Sequence, residues 1–588
     1  MCGIFAYTGK AKQAQNLVFN GLKNLEYRGY DSWGIAAIAN DNKIQVVKKT
    51  GKIGNSSINN IDSTMAIGHT RWATHGGVTV KNAHPHLDCT GSLALIHNGI
   101  IENYDQIKNS LLKSGHRFLS ETDSEVAVHL IEEYQKKLGF EEAVIAAFKE
   151  FQGLNAIIVM NADARVFAAA KNGSPLIVGK GRGENFLASD AHALLPYTRN
   201  IYFMEDGEAV FVDDKKISVY TLSDYQQKSV NFTTLDWRQD KTDRGHYPHY
   251  MIKEIHDQVK ILEYITGHQD EGIKKFSDLI SKSFGTYLVG CGTAAYASLA
   301  GTYIFSKIAK FHLNFSVASE FGYLVDFLTE KSLVIALSQS GETIDLIDAV
   351  RKAKKKGARI AALVNNLGST LYRSADYKLL LNAGVEKAVV STKAFTAKLA
   401  HLILIAYNLA GKLEEGKKVI RESVAAASRI LEYDYQKKVR NLADKLANQD
   451  HIYIIGRGVS YPVALETALK IKEASYIHAE GFAGGELKHG VIALISKGTP
   501  CMAILADDET YSDTLSGVME MKARGGYMIG LGSNNQQIFD EFLQIPDCGI
   551  ATVIPNIIIG QLIGYYLAVK KGLDPDKPRN LAKSVTVK

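Results

Sequence analysis

Short apolar runs separated by Gly, Asn and Asp turns occupy the first 235 residues of the chain. Runs such as GIFAYT at 3–8 and LALIH at 93–97 have the length and side-chain pattern of β-strands. Two longer stretches, 11–25 and 124–137, carry apolar residues at helical spacing and predict helices among the strands. The pattern predicts a layered α+β domain built on β-sheets. The other predicted strands are 35–39, 44–48, 156–160, 166–170, 201–203 and 209–212.

The pattern changes after residues 236–250, a polar segment interrupted by Gly and Pro that predicts a linker. Beyond it, apolar strands at 286–290 and 333–337 are each followed by a helical stretch. Such alternation predicts α/β domains in which parallel sheets are flanked by helices. The predicted helices here are 292–307 and 342–356, and a third strand is 359–364.

This alternation occurs twice along the second half of the chain. YLVGCGTAAYAS at 287–298 corresponds to YIIGRGVSYPVA at 453–464, since each runs from an apolar strand through G-x-G into a helix. We therefore expect two related α/β domains joined by a helical stretch. The expected boundaries are 2–235 for the first domain, 251–410 and 440–573 for the repeats, and 574–588 for a polar tail.

Composition narrows the class of protein. The 588 residues are 46% hydrophobic and 22% charged, with a formal net charge of +6 and no basic tail, so nucleic acid is not expected as a partner. The five cysteines are scattered without C-x-x-C spacing, as in cytosolic proteins with reduced thiols. There is no signal-peptide pattern and no run of 18 apolar residues. We expect a cytoplasmic protein without a membrane span.

Cys2 follows the initiator methionine. Removal of Met1 would place a thiol and an α-amine on one residue. Such an amine has a reference pKa of about 7.7–8.0, so it can act as a base for the thiol without a histidine. The first four residues alone are equally consistent with a cysteine at a frayed end.

Three polar segments of the first half could bind or activate a small substrate. In the loop 69–76, Arg71 could hold a carboxylate and Trp72 could cover a ligand, although a surface loop with a structural ion pair has the same sequence features. His97-Asn98-Gly99 could stabilise an oxyanion, although Asn-Gly alone is more typical of a turn. Asp123 could bind an ammonium group or cap the following helix.

His84-Pro85-His86, Asp88 and Cys89 form a further cluster of possible metal ligands. Their spacing is too tight for all four side chains to converge, and no second cluster in the sequence completes a site. We expect no metal.

Together these segments resemble the class II, N-terminal-nucleophile glutamine amidotransferases. The segments that carry the resemblance are 2–4, 26–32, 69–76, 97–99 and 121–123. The resemblance implies a four-layer αββα domain in which Cys2 attacks glutamine and Asn98 and Gly99 form the oxyanion hole. Trp33 departs from the family, which usually has a small residue there, and we expect it to change only local packing. The residues implied to bind glutamine are Arg71, Trp72, Thr74, His75 and Asp123.

In the second half, Ser338-Gln339-Ser340-Gly341-Glu342-Thr343 ends a strand and opens a helix. Hydroxyls, free N–H groups and the helix dipole favour an anion there, while the spacing is not that of a nucleotide loop. Simple helix capping is the alternative. Glu466, Lys470 and Glu473 share one helical face, which a solvated ion-pair network would also explain. Further acids and bases stand in a Gly-rich stretch and near the end of the chain: Glu480, Glu486, Lys488, His489 and Lys583.

The two repeats resemble sugar-isomerase (SIS) domains. With the preceding domain, the whole chain resembles the glutamine–fructose-6-phosphate aminotransferase family, through SQSGET at 338–343, STKAF at 391–395, EGFAGGELKHG at 480–490 and PRNLAKSVTV at 578–587. The resemblance implies L-glutamine and D-fructose 6-phosphate as substrates, D-glucosamine 6-phosphate and L-glutamate as products, a homodimer, and no cofactor. The alternatives are an amidotransferase with another acceptor, or a sugar-phosphate sensor without catalysis.

The resemblance also implies roles for individual residues. Lys583 forms a Schiff base with the sugar ketone, Glu473 moves a proton between carbons 1 and 2, and His489 from a partner subunit assists ring opening. Ammonia passes through a channel gated by Trp72 and the tail 574–588. The residues implied to bind the sugar phosphate are Thr293, Ser338, Gln339, Ser340, Thr343, Val389, Ser391 and Lys470. Ala294 and Gly322 stand where many family members have Ser and Arg.

Overall fold

The computed structural model describes residues 2–54, 56–59, 61–235 and 244–586. Within them the chain divides into two units, the first formed by residues up to 235 together with 584–586, and the second by 244–583. Most of the predicted linker, 236–243, and the last two residues lie outside the described part.

The first unit is built from two β-sheets and four α-helices among the described residues. Its strands are β1 (Gly3–Gly9), β2 (Ser32–Ile38), β3 (Ile44–Thr50), β4 (Met65–Arg71), β5 (His86–Leu87), β6 (Leu93–Gly99), β7 (Asn155–Asn161), β8 (Val166–Asn172), β9 (Ile177–Lys180), β10 (Glu184–Ala188), β11 (Asn200–Phe203), β12 (Glu208–Val212), β13 (Ile217–Thr221), β14 (Gln227–Lys228) and β15 (Thr233–Thr234). Its α-helices are α1 (Ala14–Leu25), α2 (Tyr104–Lys113), α3 (Glu125–Gln135) and α4 (Phe140–Glu150).

The first sheet has the strand order β15-β11-β9-β10-β1-β4-β2-β3, and the second has β14-β13-β12-β8-β7-β6-β5. Strand β1 pairs antiparallel with β4, which places Gly3 opposite Thr70. Strand β6 pairs antiparallel with β7, with Asn98 opposite Ala156. The beginning of β1 and the end of β6 carry the candidate nucleophile and its neighbours.

Side-chain alternation along these strands sorts the cores into layers. Phe5 and Tyr7 of β1 pack into the core under α1, while Ile4 of the same strand packs between the two sheets. In β6, Ile96 joins the core between the sheets and Leu95 packs against the helices of the second sheet. The layers are therefore helix, sheet, sheet and helices, which confirms the expected αββα arrangement.

Trp33 lies in the outer core of the first sheet. Its side chain is 1% exposed and its ring lies 5.5 Å from that of Phe19. The large residue at this position fills space between α1 and the sheet, so its effect is on packing, as expected from the sequence.

The second unit contains two parallel sheets surrounded by helices. Its strands are β16 (Thr286–Gly290), β17 (Asn314–Val317), β18 (Leu333–Ser338), β19 (Arg359–Val364), β20 (Tyr377–Leu380), β21 (His451–Gly456), β22 (His478–Ala483), β23 (Pro500–Ile504), β24 (Tyr527–Gly532) and β25 (Glu541–Gln544). Its α-helices are α5 (Tyr250–His268), α6 (Asp270–Ser281), α7 (Thr293–Ile304), α8 (Ala318–Phe321), α9 (Ile344–Lys355), α10 (Thr370–Ser374), α11 (Lys393–Leu409), α12 (Leu413–Ile430), α13 (Tyr433–Leu446), α14 (Ser460–Ser475), α15 (Tyr511–Ala523) and α16 (Val553–Lys570).

The two sheets share one topology, with strand orders β17-β16-β18-β19-β20 and β22-β21-β23-β24-β25. In each, the first strand of the repeat lies second in the sheet and runs through G-x-G into a helix, which is α7 in one and α14 in the other. The structure therefore confirms the repeat that the sequence predicted. Helices α5 and α6, which precede the first strand, were not predicted.

Helix α16 is almost entirely buried within the second unit. The segment Gly549–Lys570 is long and apolar enough to cross a membrane by length and composition, but 94% of its apolar stretch is buried within the protein. It shares one hydrophobic core with residues of α13 and α14. A helix that is apolar on all faces and covered on all faces is a core helix.

Asp576 joins the two ends of the second unit. Its carboxylate accepts hydrogen bonds from the backbone N–H groups of Tyr250 at 2.8 Å and Met251 at 2.7 Å, where α5 begins. Its carbonyl oxygen accepts a bond from the N–H of Val389 at 2.9 Å. The chain that leads to Lys583 is thereby anchored to the start of the unit and to the loop before α11.

Candidate active sites

Cys2 lies immediately before β1, where its thiol contacts the backbone of the residue that follows β4. The N–H of Trp72 donates to Sγ at 3.3 Å, and the thiol lies 3.5 Å from the Trp72 carbonyl oxygen. Burial raises the pKa of the Cys2 thiol, and the charges of Arg71 and Arg28 offset part of that rise. Because the thiolate is the reactive form, this thiol needs a base beside it in order to act as a nucleophile.

Asn98 brings an amide donor to Cys2. Its Nδ2 donates to the Cys2 carbonyl oxygen at 3.2 Å. Strand β6 continues through Gly99, so His97-Asn98-Gly99 is not the tight turn that Asn-Gly alone would favour. Gly99 has φ +136°, and a Cβ there would lie 2.3 Å from the carbonyl oxygen of Leu154. Only glycine fits at this position, which keeps the backbone beside Asn98 uncovered.

His69 orients the Asn98 amide, a role that sequence analysis did not assign. Its Nε2 lies 3.1 Å from Asn98 Oδ1 and 3.0 Å from the carbonyl oxygen of His97. Burial lowers the pKa of His69 to about 3, so the ring is neutral and its single N–H faces these two acceptors. Asn98 Oδ1 is therefore held by His69, and Nδ2 is turned towards Cys2.

A buried ion pair fixes the backbone of Cys2 from the other side. Nε of Arg28 donates to the Cys2 carbonyl oxygen at 3.3 Å, and its Nη1 lies 3.1 Å from Asp190 Oδ2. The Tyr27 hydroxyl donates to the same carboxylate oxygen at 2.5 Å. Burial alone would raise the pKa of Asp190, but the hydrogen bond from His192 and the charge of Arg28 hold it well below its usual range. Sequence analysis did not identify this pair as part of the site.

Arg71 shapes the loop that follows it. Residues 69–71 are the end of β4 rather than part of a loop, which corrects the sequence-based interpretation of 69–76. Nη1 of Arg71 donates to the Gly77 carbonyl oxygen at 3.1 Å, and Nη2 donates to those of His75 and Gly76. No carboxylate of a neighbouring residue forms an ion pair with it in the described part of the chain. The guanidinium group is thus held by backbone carbonyls, and the structural ion pair considered for this loop is not found there.

The other predicted glutamine ligands surround this loop. The Trp72 ring meets Tyr30 edge-on at 5.7 Å, and Thr74 is exposed. His75 Nδ1 lies 3.1 Å from the Glu121 carbonyl oxygen. Asp123 is buried, and its Oδ2 accepts from the Ile101 N–H at 2.8 Å. The Asp123 side chain therefore ties down the segment after β6 and does not cap α3.

In the second unit, the segment 338–343 joins the end of β18 to the start of α9. Its hydroxyls hold its own backbone, since the N–H of Gly341 donates to Ser338 Oγ at 2.8 Å and that of Glu342 to Ser340 Oγ at 3.1 Å. Gly341 has φ +68°, and a Cβ there would lie 2.1 Å from Ser369 Oγ. Thr343 precedes the first turn of α9 without a side-chain capping bond. Hydroxyls at a helix N-terminus are suited to a phosphate group.

Glu466, Lys470 and Glu473 lie on one face of α14, but that face is not solvated. Lys470 and Glu466 are fully buried, and Lys470 Nζ lies 3.3 Å from Glu466 and 2.5 Å from Glu473. Thr293, at the start of α7, donates to Glu466 at 3.0 Å and accepts from Lys470 at 3.1 Å. Burial raises the pKa of Glu466 to about 7, although Lys470 opposes this. The interpretation as a solvated ion-pair network is wrong.

Lys583 is not a solvated lysine either. Its side chain is 4% exposed, and Nζ lies 2.5 Å from Glu386 Oε2. Glu386 also accepts from Ser391 Oγ at 3.1 Å and from the Thr392 N–H at 2.9 Å. Burial favours the neutral acid, but the charge of Lys583 lowers the pKa of Glu386 to about 2. Sequence analysis missed Glu386, which stands in a loop without a recognisable motif.

His489 ends a short 3₁₀ turn and is exposed. Among the residues described, no hydrogen bond or ion pair joins it to Lys470, Glu473 or Lys583. The stretch before it is less irregular than its glycines suggested, since Glu480 belongs to β22, which pairs with β21. The structure therefore brings Glu466, Lys470, Glu473 and Thr293 together, and leaves His489 outside that group.

Comparison with known proteins assigns both units. A glutamine amidotransferase domain family matches residues 69–196, and the SIS domain family matches 279–407 and 445–564. The fold and the two sites thus define a glutamine amidotransferase domain joined to a pair of SIS domains. The chain is 41% identical to the isomerizing glutamine–fructose-6-phosphate aminotransferase of Pyrococcus horikoshii and 40% identical to that of Thermus thermophilus, over 100% of each chain. The chain belongs to the family of isomerizing glutamine–fructose-6-phosphate aminotransferases.

A solved structure supports the assignment of the second unit. The C-terminal domain of glucosamine-fructose-6-phosphate aminotransferase from Francisella tularensis is similar at 32% identity, with a TM-score of 0.53. The match covers 56% of this chain and 99% of that one.

Proposed function

We propose that the protein converts L-glutamine and D-fructose 6-phosphate into D-glucosamine 6-phosphate and L-glutamate, in the cytoplasm. The observation that carries the proposal is that one chain holds a thiol beside an oriented amide donor and, in its SIS unit, a buried amine beside a carboxylate. The full-length relatives of Pyrococcus horikoshii and Thermus thermophilus, which are named for the same two substrates, support this proposal.

In the first unit, the Cys2 thiol attacks the side-chain amide carbon of glutamine. The α-amine of Cys2, exposed when Met1 is removed, takes the thiol proton and delivers it to the departing ammonia. Asn98 Nδ2 and the Gly99 N–H stabilise the oxyanion that forms at the amide carbon. Water then hydrolyses the thioester, which releases L-glutamate and restores the thiol.

The remaining polar groups of the first unit position glutamine. Arg71 binds its α-carboxylate through the N–H groups not used by the backbone, and Asp123 binds its ammonium group. Trp72, Thr74 and His75 line the pocket, and Trp72 gates the passage of ammonia. His69 and Arg28 act through Asn98 and Cys2, so they are positioning residues.

In the second unit, the segment 338–343 binds the phosphate group of the sugar, with contacts from Ser338, Gln339, Ser340 and Thr343. Lys583 condenses with the ketone at carbon 2 and releases water. Ammonia from the first unit then displaces Lys583 from carbon 2, and the amine nitrogen of the product remains there.

Glu473 completes the isomerisation by moving a proton from carbon 1 to carbon 2. Lys470, with Glu466, holds Glu473 in place, while Thr293, Val389 and Ser391 contact the sugar. We infer a homodimer in which His489 of the partner subunit assists ring opening. The tail 574–588 closes the sugar site, and ammonia reaches that site through an internal channel.

The decisive experiment supplies the purified protein with both substrates, using glutamine labelled with ¹⁵N in its amide and excess unlabelled ammonium. Mass spectrometry should show amino sugar phosphate that carries ¹⁵N, because channelled ammonia does not mix with the solvent. Glutamine hydrolysis without amino sugar phosphate would rule out the acceptor. Product with only unlabelled nitrogen would rule out the channel.

A variant pair separates the two sites. Cys2→Ala should abolish glutamine hydrolysis and leave the isomerisation of fructose 6-phosphate to glucose 6-phosphate intact. Cys501→Ala, which removes an equal thiol from the core of the second unit, should retain both activities. Loss of isomerisation in a folded Cys2→Ala protein contradicts the two-site proposal. Intact Met1 in a fully active sample contradicts the role of the α-amine.

A further inference from the structure

Four side chains outside the proposed glutamine and sugar sites converge on one point of the first unit. Cys89 follows β5, His116 follows α2, and His129 and Glu132 lie one turn apart on α3. Sγ of Cys89 is 3.6 Å from Nδ1 of each histidine, and Oε2 of Glu132 is 3.1 Å from both Nδ1 atoms. All four ligand atoms lie within 4.8 Å of one another.

We propose that Cys89, His116, His129 and Glu132 bind one Zn²⁺ ion. With Zn–N near 2.1 Å and Zn–S near 2.3 Å, a tetrahedral site holds its ligand atoms roughly 3.3–3.7 Å apart. Four of the six separations among the thiol, imidazole and carboxylate atoms are 3.1–3.6 Å, close to those of that tetrahedron, and all six are within 4.8 Å.

The kinds of ligand atom in this cluster favour zinc over other divalent ions. A thiolate and two imidazoles are ligands that Zn²⁺ prefers, whereas Mg²⁺ and Ca²⁺ prefer sites made only of oxygen. The Cys89 thiol releases its proton to the solvent when the sulfur–metal bond forms, so no other reactant is needed. Cys89 is exposed, which gives the ion access, while both histidine rings are buried.

The outer nitrogens of the two histidines face carboxylates. His116 Nε2 lies 2.8 Å from Glu133 Oε2, and His129 Nε2 lies 3.7 Å from Glu125 Oε1. Carboxylates behind the ligating histidines fix the ring orientation at known zinc sites and strengthen the ligands. Both rings turn Nδ1 towards the cluster and Nε2 towards an acid, and the His116 Nε2 is within hydrogen-bond distance of its carboxylate.

From the sequence alone we expect no metal, because the run 84–89 is too tight and no second cluster completes a site. The structure separates that run: His84 and His86 remain in the interior with ring centroids 4.6 Å apart, and only Cys89 reaches the cluster. The partners of Cys89 come from 27 to 43 residues further along the chain, where single histidines have no recognisable metal spacing.

A four-ligand site of this kind is structural, since no coordination position remains open for a substrate. The ion would join the loop after β5 to the segment between α2 and α3. That segment leads into Asp123, and its Thr122 Oγ1 lies 3.0 Å from His86 Nε2. We therefore expect metal loss to loosen Asp123 and to weaken glutamine binding, while sugar isomerisation is unchanged.

The test measures metal content of the full-length protein, purified with a phosphine reductant that does not chelate zinc, loaded with ZnCl₂ and desalted. One zinc per chain is expected. Cys89→Ser and His129→Gln should bind less than a tenth of an equivalent. Matched controls remove the same groups elsewhere: Cys501→Ser in the core of the second unit and His268→Gln on the surface of α5 should retain one equivalent.

Cobalt gives a second readout that does not depend on activity or on tolerance to mutation. Co²⁺ bound to the wild-type protein should show a thiolate charge-transfer band and the visible absorption of tetrahedral cobalt, and Cys89→Ser should lack the band. Glu133→Gln leaves all four ligands in place and should weaken zinc binding about 10-fold in competition with a chelator.

Either of two results overturns the proposal. Zinc below a tenth of an equivalent in the wild-type protein, together with no cobalt band, would identify the cluster as an ion-pair network. Equal zinc content and identical cobalt spectra in wild type and Cys89→Ser would place the metal elsewhere.

Discussion

Nε2 of His69 lies 3.1 Å from Oδ1 of Asn98, and this contact decides which end of the Asn98 amide faces Cys2. An amide that is free to turn could present either its oxygen or its nitrogen to a developing negative charge. The neutral ring of His69 carries an N–H donor at Nε2, which pairs with the amide oxygen of Asn98 and not with its NH₂ group. Only one orientation of the Asn98 amide is therefore favourable. A residue near the end of β4 thereby fixes the direction in which the Asn98 amide of β6, in the other sheet, points its N–H groups.

His69→Ala should lower kcat for glutamine hydrolysis about 10-fold, because the Asn98 amide loses its fixed orientation. It should change KM little, because the contacts that bind glutamine remain. Asn98→Ala marks the upper limit, since removal of an oxyanion donor costs about 10²–10³ in kcat. His69→Gln, which restores an N–H donor, should recover part of the loss. Steady-state glutaminase assays measure all three.

His401→Ala serves as the control for His69→Ala. It removes another fully buried neutral histidine, but from helix α11 in the second unit. Glutaminase kinetics should not change in this variant. A wild-type kcat in His69→Ala, or a loss that appears only in KM, contradicts the orienting role.

Gly341→Ala should raise KM for fructose 6-phosphate more than 10-fold and leave glutaminase activity unchanged. The new Cβ would stand 2.1 Å from Ser369 Oγ in a backbone of φ +68°, so the segment 338–343 must move. Gly411→Ala carries the same backbone strain, at φ +73°, with no atom within 4 Å of the new Cβ. It should cost about 1–2 kcal/mol of stability and leave KM unchanged. Equal KM values for the two variants would falsify the phosphate-binding role of this segment.

Glu254 should make the second unit less stable as the pH rises. Burial and the charge of Glu386 raise the pKa of Glu254 to about 8, although Lys583 and Lys393 oppose the shift. Between about pH 4.5 and 8 the folded protein holds a proton that the unfolded chain has lost, so stability falls across that window. Glu254→Gln mimics the protonated acid and should flatten the decline. Thermal unfolding from pH 5 to 8 tests this, and parallel curves for the two proteins would argue against it.

Glu386 has the opposite dependence. Its pKa is depressed to about 2 in the folded protein, so its stabilising effect is complete above about pH 4.5 and is lost as the pH falls towards 2. Glu386→Gln leaves the buried ammonium of Lys583 without its counter-charge and should destabilise the protein by about 3–5 kcal/mol at pH 7.

The measurement for Glu386 is the unfolding midpoint of the wild type and Glu386→Gln at pH 7, 5 and 3.5. The gap between them should narrow at the lowest pH. Glu415→Gln, an exposed carboxylate on α12 that pairs with Lys412, is the control and should change the midpoint little at any pH. A difference in unfolding midpoint that does not change with pH would contradict this role of Glu386.

Much of the architecture could be predicted because it depends on local pattern. The alternation along β1 and β6 records which side chain faces which layer, and the G-x-G turn repeats at 290–292 and 456–458. Several of the missed strands are short or lie at sheet edges, whereas helices α5 and α6 and strand β4 were missed although they are longer. Strands β17, β20 and β25 have four residues each and include exposed or half-buried positions, so their apolar signal is weak.

The candidate sites divide in the same way. Motifs such as 338–343 could be recognised because their residues are adjacent in the chain. Contacts between distant residues could not, since Arg28 meets Asp190 across 162 positions and Lys583 meets Glu386 across 197. Burial could not be predicted either, since only the folded chain shows that the side chains of Lys470 and Lys583 are 0% and 4% exposed.

The hydrogen bonds between Asp576 and the first turn of α5 link the carboxyl end of the second unit to its amino end. A truncation that removes Asp576 would therefore destabilise the opposite end of the unit, because the N–H groups of Tyr250 and Met251 would lose their hydrogen-bond acceptor. The segment 576–583 therefore has two roles: it holds the two ends of the unit together, and it positions the Lys583 amine. Removing residues 576–588 would abolish these two hydrogen bonds and take away the Lys583 amine in one step.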